Sequence, residues 1–560
     1  MAGIRSPRRS WLLWFALAIG VGIGLRLDQL PSQLLLEDEW HAVYRLVHDT
    51  PAAIFLDFGH SDHSIPLTLL YGLEARAFGL SEIAMRWPQL AAGIATLLLF
   101  PWYVARRIGR AAALVFAALL AISPLLYFFS RMARPYALTL LLVWVAYFAF
   151  RRYADAAASR WPAAALYAAS ATVAAWLHPV VAPFVVAPFV PAAWRCLRGA
   201  ADAERRRRIA RLALLALAAA VPMAALLLPP LIAHPESLRL KSGVDLPNGD
   251  TLVGVWYLWF GTGASWVVLL AGALALVGLP SIWRRLPEAP SAVAGIALTA
   301  LAIVGTRPAW IQNPLTFARY LLPVLPLLLL ATACGAVRVA DALRRAAAAR
   351  GLNPVVTGGI GGAIAALPVF VLGATTPLKP LLQYPNANSL HAVYQFDFRP
   401  EHNPILRLMD DIPLSPWWAR LAQAPPGSLA IAVAPFPTES VGWDAPRWQR
   451  LSRQRIVHGL LTPLCANPRP TEVPDDARFR FRNAVHVADD AELAAQRIDF
   501  VVWQKPYRYT AHGLDVPVAA DVAHCAEPLA ARFGAPVYED QWLVVYRPAT
   551  AASARRDAGE

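Results

Sequence analysis

The sequence predicts a mainly α, polytopic transmembrane helical bundle of about eleven spans with a C-terminal extracytoplasmic α/β domain. Three observations predict it. The 560-residue chain is 57% hydrophobic and 16% charged, with mean hydropathy +0.43, which is too apolar for one soluble domain. Long apolar runs recur from Trp11 to Thr375, each about long enough to cross a bilayer. Beyond Thr375 the runs stop and short strand-like and helix-like patterns alternate.

The apolar runs fall near 11–26, 88–105, 111–130, 134–150, 162–178, 179–195, 209–232, 264–283, 289–306, 318–337 and 355–374. Arg5, Arg8 and Arg9 precede the first run, in the manner of a signal peptide, but no small-residue cleavage site follows before Arg26. The first run is therefore read as an uncleaved span. The pair 162–195 is compatible with one broken hairpin around His178-Pro179. Segment 64–80 is apolar but contains Glu74 and Arg76, which places it at the membrane interface. Gly358-Gly359-Ile360-Gly361-Gly362, inside the last run, reads as a site of close helix packing.

Orientation follows from basic residues. With the N-terminus in the cytoplasm, the inner loops carry more than twice the Arg and Lys of the outer ones, and they are the shorter loops. The run Arg205 to Arg208 is such a topology signal. The net charge of +14 thus has a topological origin, and no nucleic-acid partner is expected. Alanine-rich and arginine-rich composition points to a GC-rich bacterial genome, and no Asn begins a glycosylation sequon. The expected location is a bacterial inner (plasma) membrane, multi-pass, with a cytoplasmic N-terminus and an extracytoplasmic C-terminal domain.

Three parts follow along the chain: a membrane domain over 1–375, a connecting segment over 376–427 and an α/β domain over 428–560. In the last, strands are expected at 429–434, 499–503, 536–538 and 542–546, with helices at 491–497 and 527–533. Cys465 and Cys525 are candidates for a disulfide if this domain lies outside the cytoplasm; two buried thiols are the other reading.

The chain carries no Walker loop, no GxGxxG turn, no zinc-type Cys/His spacing and no hydrolase elbow. Its chemistry must come from polar groups at span ends. The first is the acid cluster Glu37-Asp38-Glu39, directly after the first span. On the same outer face fall His60, Asp62, His63, Arg131, Arg134, Tyr136, His178, Glu236, Arg239, Lys241, Arg307, Arg319 and Tyr320. Ionisable groups at membrane depth are costly, so a function is the default reading for them. A carboxylate can take a proton from a hydroxyl or hold a divalent metal. A guanidinium fork suits a lipid phosphate. The competing readings are ordinary ones: a capping acid at Asp38, arginines snorkelling to headgroups, interfacial tyrosines, and a histidine capping a helix before Pro179.

The order of motifs resembles the GT-C class of polytopic glycosyltransferases. More narrowly, it resembles the bacterial family similar to protein O-mannosyltransferases and the lipid A aminoarabinose transferase. The matching residues are Asp38-Glu39; His63-Ser64-Ile65-Pro66-Leu67 through Phe78-Gly79; Ser81-Glu82 with Arg86-Trp87-Pro88 and Ala92-Gly93; Ser123-Pro124; Ser130-Arg131-Met132-Ala133-Arg134-Pro135-Tyr136; His178; and Arg319-Tyr320-Leu321-Leu322-Pro323. They cover roughly residues 10–335. Two departures stand out: His63-Ser64-Ile65-Pro66 in place of His-Pro-Pro, and the bulky Trp40 after the acid pair.

The resemblance implies an inverting transfer of a sugar, hexosyl or pentosyl, from a polyprenyl-phosphate donor on the outer face. Asp38 and Glu39 would be catalytic, and they are also the candidate ligands if a divalent metal takes part. His63, Arg131, Arg134, Tyr136, His178, Arg319 and Tyr320 would bind substrate. The acceptor would be a hydroxyl of a glycolipid, a polysaccharide or a protein, with membrane lipids as surroundings. The alternatives are a transporter or lipid flippase with an outer domain, and a non-catalytic envelope assembly subunit. A transporter should place charge at the midplane of broken helices in repeated halves; little charge falls mid-span and no repeat is evident.

Overall fold

The computed structural model describes residues 7–28, 30–35, 37–59, 63–155, 160–198, 203–376, 414–435, 448, 451–466, 476–511, 514–518 and 520–549. Among the described residues, eight helices are long and apolar enough to cross a membrane: Glu82–Arg107, Tyr136–Ala154, Pro179–Arg198, Ala203–Ala233, Ser265–Arg285, Ala289–Thr306, Leu322–Ala349 and Pro354–Thr375. Trp11–Leu27 and Arg110–Ile122 are shorter apolar helices, and Trp161–Leu177 adds a further 17 residues. Together these correspond to the eleven expected segments. Ile65–Phe78 has 14 residues and carries Glu74 and Arg76. It lies against Glu37–His48 and Pro51–Leu56.

Proline decides where several of these helices stop. The expected span 111–130 is in fact two helices, Arg110–Ile122 and Pro124–Phe129, parted at Ser123. Pro124 has no N–H to offer Leu120 O, so a carbonyl is left open inside the bundle. Arg26, 1% exposed, supplies the missing donors: Nη2 to Leu120 O at 3.2 Å and Nη1 to Ala121 O at 3.3 Å. Trp161–Leu177 ends at His178, whose extended backbone is the conformation Pro179 favours in the residue before it. Pro314–Tyr320 is likewise a separate short helix, ending just before the 3₁₀ turn Leu322–Val324.

The expected close packing at the glycine run is not found. A Cβ added at Gly358, Gly359 or Gly362 would meet nothing within 4 Å, and at Gly361 nothing nearer than 3.6 Å. The close contact lies elsewhere, between Ser265–Arg285 and Leu325–Ala349. There a Cβ on Gly278 would sit 1.9 Å from Ala331 O, and one on Gly335 1.8 Å from Leu274 O. Apolar context alone does not tell which face of a helix a glycine occupies.

Among the described residues, the C-terminal domain is built on a six-stranded sheet and a separate hairpin. The strands are β1 Ala430–Ala434, β2 Arg455–Leu460, β3 Ala484–His486, β4 Phe500–Gln504, β5 Tyr507–Ala511, β6 Leu514–Val518, β7 Tyr538–Glu539 and β8 Leu543–Tyr546. The sheet order is β3-β2-β1-β4-β8-β7, parallel from β3 to β4 and antiparallel thereafter. Strands β2, β3, β5 and β6 had no counterpart in the sequence reading. Alternation along β1 separates two cores. Ala430, Ala432 and Ala434 face a cluster with Leu493 and Leu529, contributed by helices Asp490–Ala495 and Ala526–Phe533. Ile431 and Val433 face a second cluster with Trp417, Trp418 and Trp448. Cys465 and Cys525 form a disulfide.

Leu34, from the loop after the first membrane helix, is fully buried in that second cluster, beside Trp418, Ile431, Val433 and Ile456. The sheet domain therefore sits on the loop that leads into the acid cluster.

Candidate active site

Glu37–His48 is an amphipathic helix whose first turn holds all three acids, where the helix dipole favours negative charge. Asp38 and Glu39 leave that turn in different directions and meet different partners.

Glu39 is fully buried. Arg86 Nε donates to its Oε1 at 2.8 Å and Nη2 to its Oε2 at 2.7 Å, while Ala133 N donates to Oε1 at 2.7 Å. The same guanidinium reaches Gln33 O at 2.8 Å and Leu34 O at 2.5 Å. Arg86, also fully buried, thus ties the acid helix, the loop before it and the helix Glu82–Arg107 together. In the sequence, Arg86 stands out only as part of the Arg86-Trp87-Pro88 motif. An arginine in the first turns of an apolar helix, with an acid pair upstream, is the signal that could have paired them.

Asp38 is 27% exposed. Its Oδ2 lies 3.5 Å from Arg134 Nε and 3.6 Å from Arg319 Nη1, and Arg134 Nη1 donates to Asp38 O at 3.2 Å. The Arg319 guanidinium stands 5.6 Å from the ring centres of both Tyr136 and Tyr320. His178 bridges those tyrosines, 5.4 Å from the Tyr136 ring and 5.6 Å from the Tyr320 ring. Asp38, Arg134, Tyr136, His178, Arg319 and Tyr320 therefore form one cluster. Most of them sit at helix ends beside prolines: Arg134 and Tyr136 flank Pro135, His178 precedes Pro179, and Arg319 and Tyr320 close the helix before Pro323. His63 is buried at the edge of this group, where the Ser64 hydroxyl donates to Leu177 O at 3.0 Å, beside His178.

Arg131 is placed apart. It is fully buried, donating from Nη1 to Leu25 O at 3.0 Å and to the Tyr127 hydroxyl, and from Nε to Gln33 Oε1 at 3.3 Å. Lys241 Nζ donates to Phe58 O at 2.9 Å, Glu236 pairs with exposed His234, and Arg307 reaches Val244 O. None of these contacts involves Asp38. His60 and Asp62 lie outside the described residues.

Among the described residues, Asp38 and Glu39 do not by themselves form a divalent-cation site. Both Glu39 oxygens are taken by Arg86 and Ala133, and the Asp38 carboxylate faces two guanidiniums. Among the described residues, no group of three or more His, Cys, Asp or Glu is arranged to hold a metal ion. The arrangement instead offers a solvent-reachable carboxylate beside two cationic forks and an aromatic wall. That suits a phosphate and a hydroxyl-bearing ring brought together.

Trp40, the bulky residue after the acid pair, faces the sheet domain. Its Nε1 donates to Leu35 O at 3.2 Å, and its ring packs 5.2 Å from His458 on β2 and 5.4 Å from Phe481.

No family model matches this chain, and no curated protein does. Among solved structures, the chain is similar to ArnT from Cupriavidus metallidurans in the apo state, with 13% identity over 98% of this chain and 99% of that one, at a TM-score of 0.46. It is also similar to ArnT from Cupriavidus metallidurans bound to undecaprenyl phosphate, with 14% identity over 95% and 97%, at a TM-score of 0.42.

Proposed function

We propose that this chain is an inverting membrane glycosyltransferase, which moves a sugar from a polyprenyl-phosphate donor to an acceptor hydroxyl at the outer membrane surface. The observation that carries the reading is the position of Asp38: partly exposed and facing Arg134 and Arg319 beside Tyr136, His178 and Tyr320. The outer location rests on the bias of Arg and Lys toward the opposite loops and on the Cys465–Cys525 disulfide, which needs an oxidising compartment.

In this mechanism Arg134 and Arg319 bind the donor phosphate. Asp38 accepts the proton of the acceptor hydroxyl as its oxygen attacks the anomeric carbon from the face opposite the phosphate. The bond from the anomeric carbon to the phosphate oxygen breaks, and the polyprenyl phosphate leaves with the electron pair. Negative charge grows on that phosphate as the bond lengthens, so fixed guanidiniums lower the barrier. Tyr136, His178 and Tyr320 line the sugar, with His63 behind them. Glu39 acts at one remove: held by Arg86, it fixes the turn from which Asp38 projects. The acceptor is a hydroxyl of a glycolipid, polysaccharide or protein.

The test is a mass-spectrometric comparison of envelope glycans and lipid-linked sugars in wild-type cells, a deletion strain and cells expressing Asp38→Asn at the native level. Loss of one sugar from an acceptor, accumulation of its polyprenyl donor, and the same phenotype for Asp38→Asn are expected. Full restoration of the envelope by Asp38→Asn would remove Asp38 as the base and put a scaffold or transport role ahead.

A further inference from the structure

The loop 30–35 connects the first membrane helix to the turn bearing Asp38, and it is held from two sides. From the bundle, Arg86 takes Gln33 O and Leu34 O. From the sheet domain, Asn483 Nδ2 donates to Pro31 O at 3.1 Å, and His458 Nε2 lies 3.4 Å from Leu35 O. The Leu34 side chain is buried in the sheet domain's core. The carbonyls of 31, 33, 34 and 35 are thus gripped by the domain at each end and by the bundle in between.

The sheet domain is itself anchored where Arg86 originates. Residues 478–483 run beside the turn that opens Glu82–Arg107. Leu80 N donates to Arg478 O and Arg480 N to Leu80 O, both at 2.7 Å. Glu82 accepts Arg482 N at 3.0 Å and Asn483 N at 2.9 Å. Gly79 permits the approach: with φ of +86°, a Cβ there would fall 2.7 Å from Arg480 Nε. Glu82 and Arg86 stand one helical turn apart. One helix end therefore receives the sheet domain and, a turn later, grips the acid loop.

These contacts are unusual for a domain that merely covers a membrane protein. His458 is 1% exposed in the middle of a parallel sheet, where an aliphatic residue would pack without a polar cost. Burial pushes its imidazole down to about 3, so near neutral pH it is an uncharged ring that can give one N–H to a carbonyl. Asn483 is 4% exposed and spends its side-chain amide on Pro31.

We propose that the C-terminal domain is a positioning element of the acid site, with Asn483 and His458 fixing the loop 30–35 so that Asp38 is presented to Arg134 and Arg319. Its effect on the rate rests on the transfer reading above; the fixing of the loop does not. Both residues act through the loop, and neither touches substrate.

Hydrogen exchange of the full-length protein in nanodiscs tests the fixing directly. Asn483→Ala and His458→Leu are compared with the native protein and with His458→Gln, which restores a neutral donor. Exchange over 30–42 is expected to rise at least about tenfold in the first two variants and to return toward native in His458→Gln. Protection of β1 and β4 should be unchanged, showing that the domain stays folded. On a lipid-linked sugar donor, kcat is expected to fall about tenfold with donor KM within about twofold, because geometry at the reacting centre is lost and phosphate binding is kept. Unchanged exchange over 30–42 overturns the proposal, and so does raised exchange with native kcat. Raised exchange in a protein that shows no transfer with any donor would sustain the fixing and overturn the glycosyltransferase reading instead.

Discussion

Arg86 and Glu39 form a two-pronged, fully buried ion pair, with Nε to Oε1 at 2.8 Å and Nη2 to Oε2 at 2.7 Å. The pair comes from positions 47 residues apart and closes the loop that carries Asp38. Removing one partner would leave the other charge buried and uncompensated, at a cost of about 3–5 kcal/mol. Arg86→Leu and Glu39→Leu are therefore each expected to lower the thermal midpoint of the detergent-solubilised protein strongly. The double variant should recover part of the loss, since it buries no lone charge. A double-mutant cycle read by tryptophan fluorescence on heating checks this.

Arg319 and Arg131 should separate in the opposite way from a pair of equivalent phosphate ligands. Arg319 is partly exposed and faces the site, whereas Arg131 is sealed against Leu25 O, Gln33 and Tyr127. Arg319→Gln is expected to weaken donor binding by about tenfold, the worth of one charge-assisted hydrogen bond, with little change in melting. Arg131→Gln is expected to lower the melting temperature with donor KM nearly native. Donor titrations and thermal melts on both variants distinguish the two roles.

The membrane helices and the site were legible for different physical reasons. Span length is a local property of apolar runs, and proline places helix ends, so Arg134, Tyr136, His178, Arg319 and Tyr320 could be assigned to one membrane face. Contacts across long sequence separations leave no local pattern. That is why Arg86 had no assigned partner, why Arg131 was grouped with Arg134, and why the docking of β2 on Leu35 went unseen. Strand β2 escaped notice because His458 and Gly459 interrupt its apolar run, and β3 because it is three residues long.

Gly278 and Gly335, not the glycine run near 360, lie where two helices of the bundle approach closely. Their neighbours are backbone carbonyls, which cannot rotate away. Gly335→Ala is expected to cost at least about 2 kcal/mol, in the upper half of the usual range for overpacking or beyond it, and to reduce the yield of folded protein. Gly359→Ala, which meets open space, should be neutral or slightly stabilising through helix propensity, by up to about 1 kcal/mol. Thermal melts of the two variants, purified side by side, decide between the sites.

His458 gives the acid sensitivity of the sheet domain a definite sign. Burial holds its imidazole at about 3, against about 6.5 in an unfolded chain. Below pH 6.5 the unfolded state binds a proton that the folded state refuses, so stability falls as pH falls toward 3 and is flat above 6.5. Between about pH 6.5 and 5 most carboxylates are still ionised, so the loss in that window reports on histidine. The native protein is expected to lose melting temperature on going from pH 7.5 to 5.5, and His458→Gln to lose distinctly less. Exchange over 30–42, corrected for its intrinsic pH dependence, should stay unchanged in the folded protein across the same interval, because His458 keeps its uncharged ring beside Leu35 and Trp40 until the pH approaches 3. Equal pH profiles for the two proteins would mean that His458 titrates normally and is not sealed in the sheet.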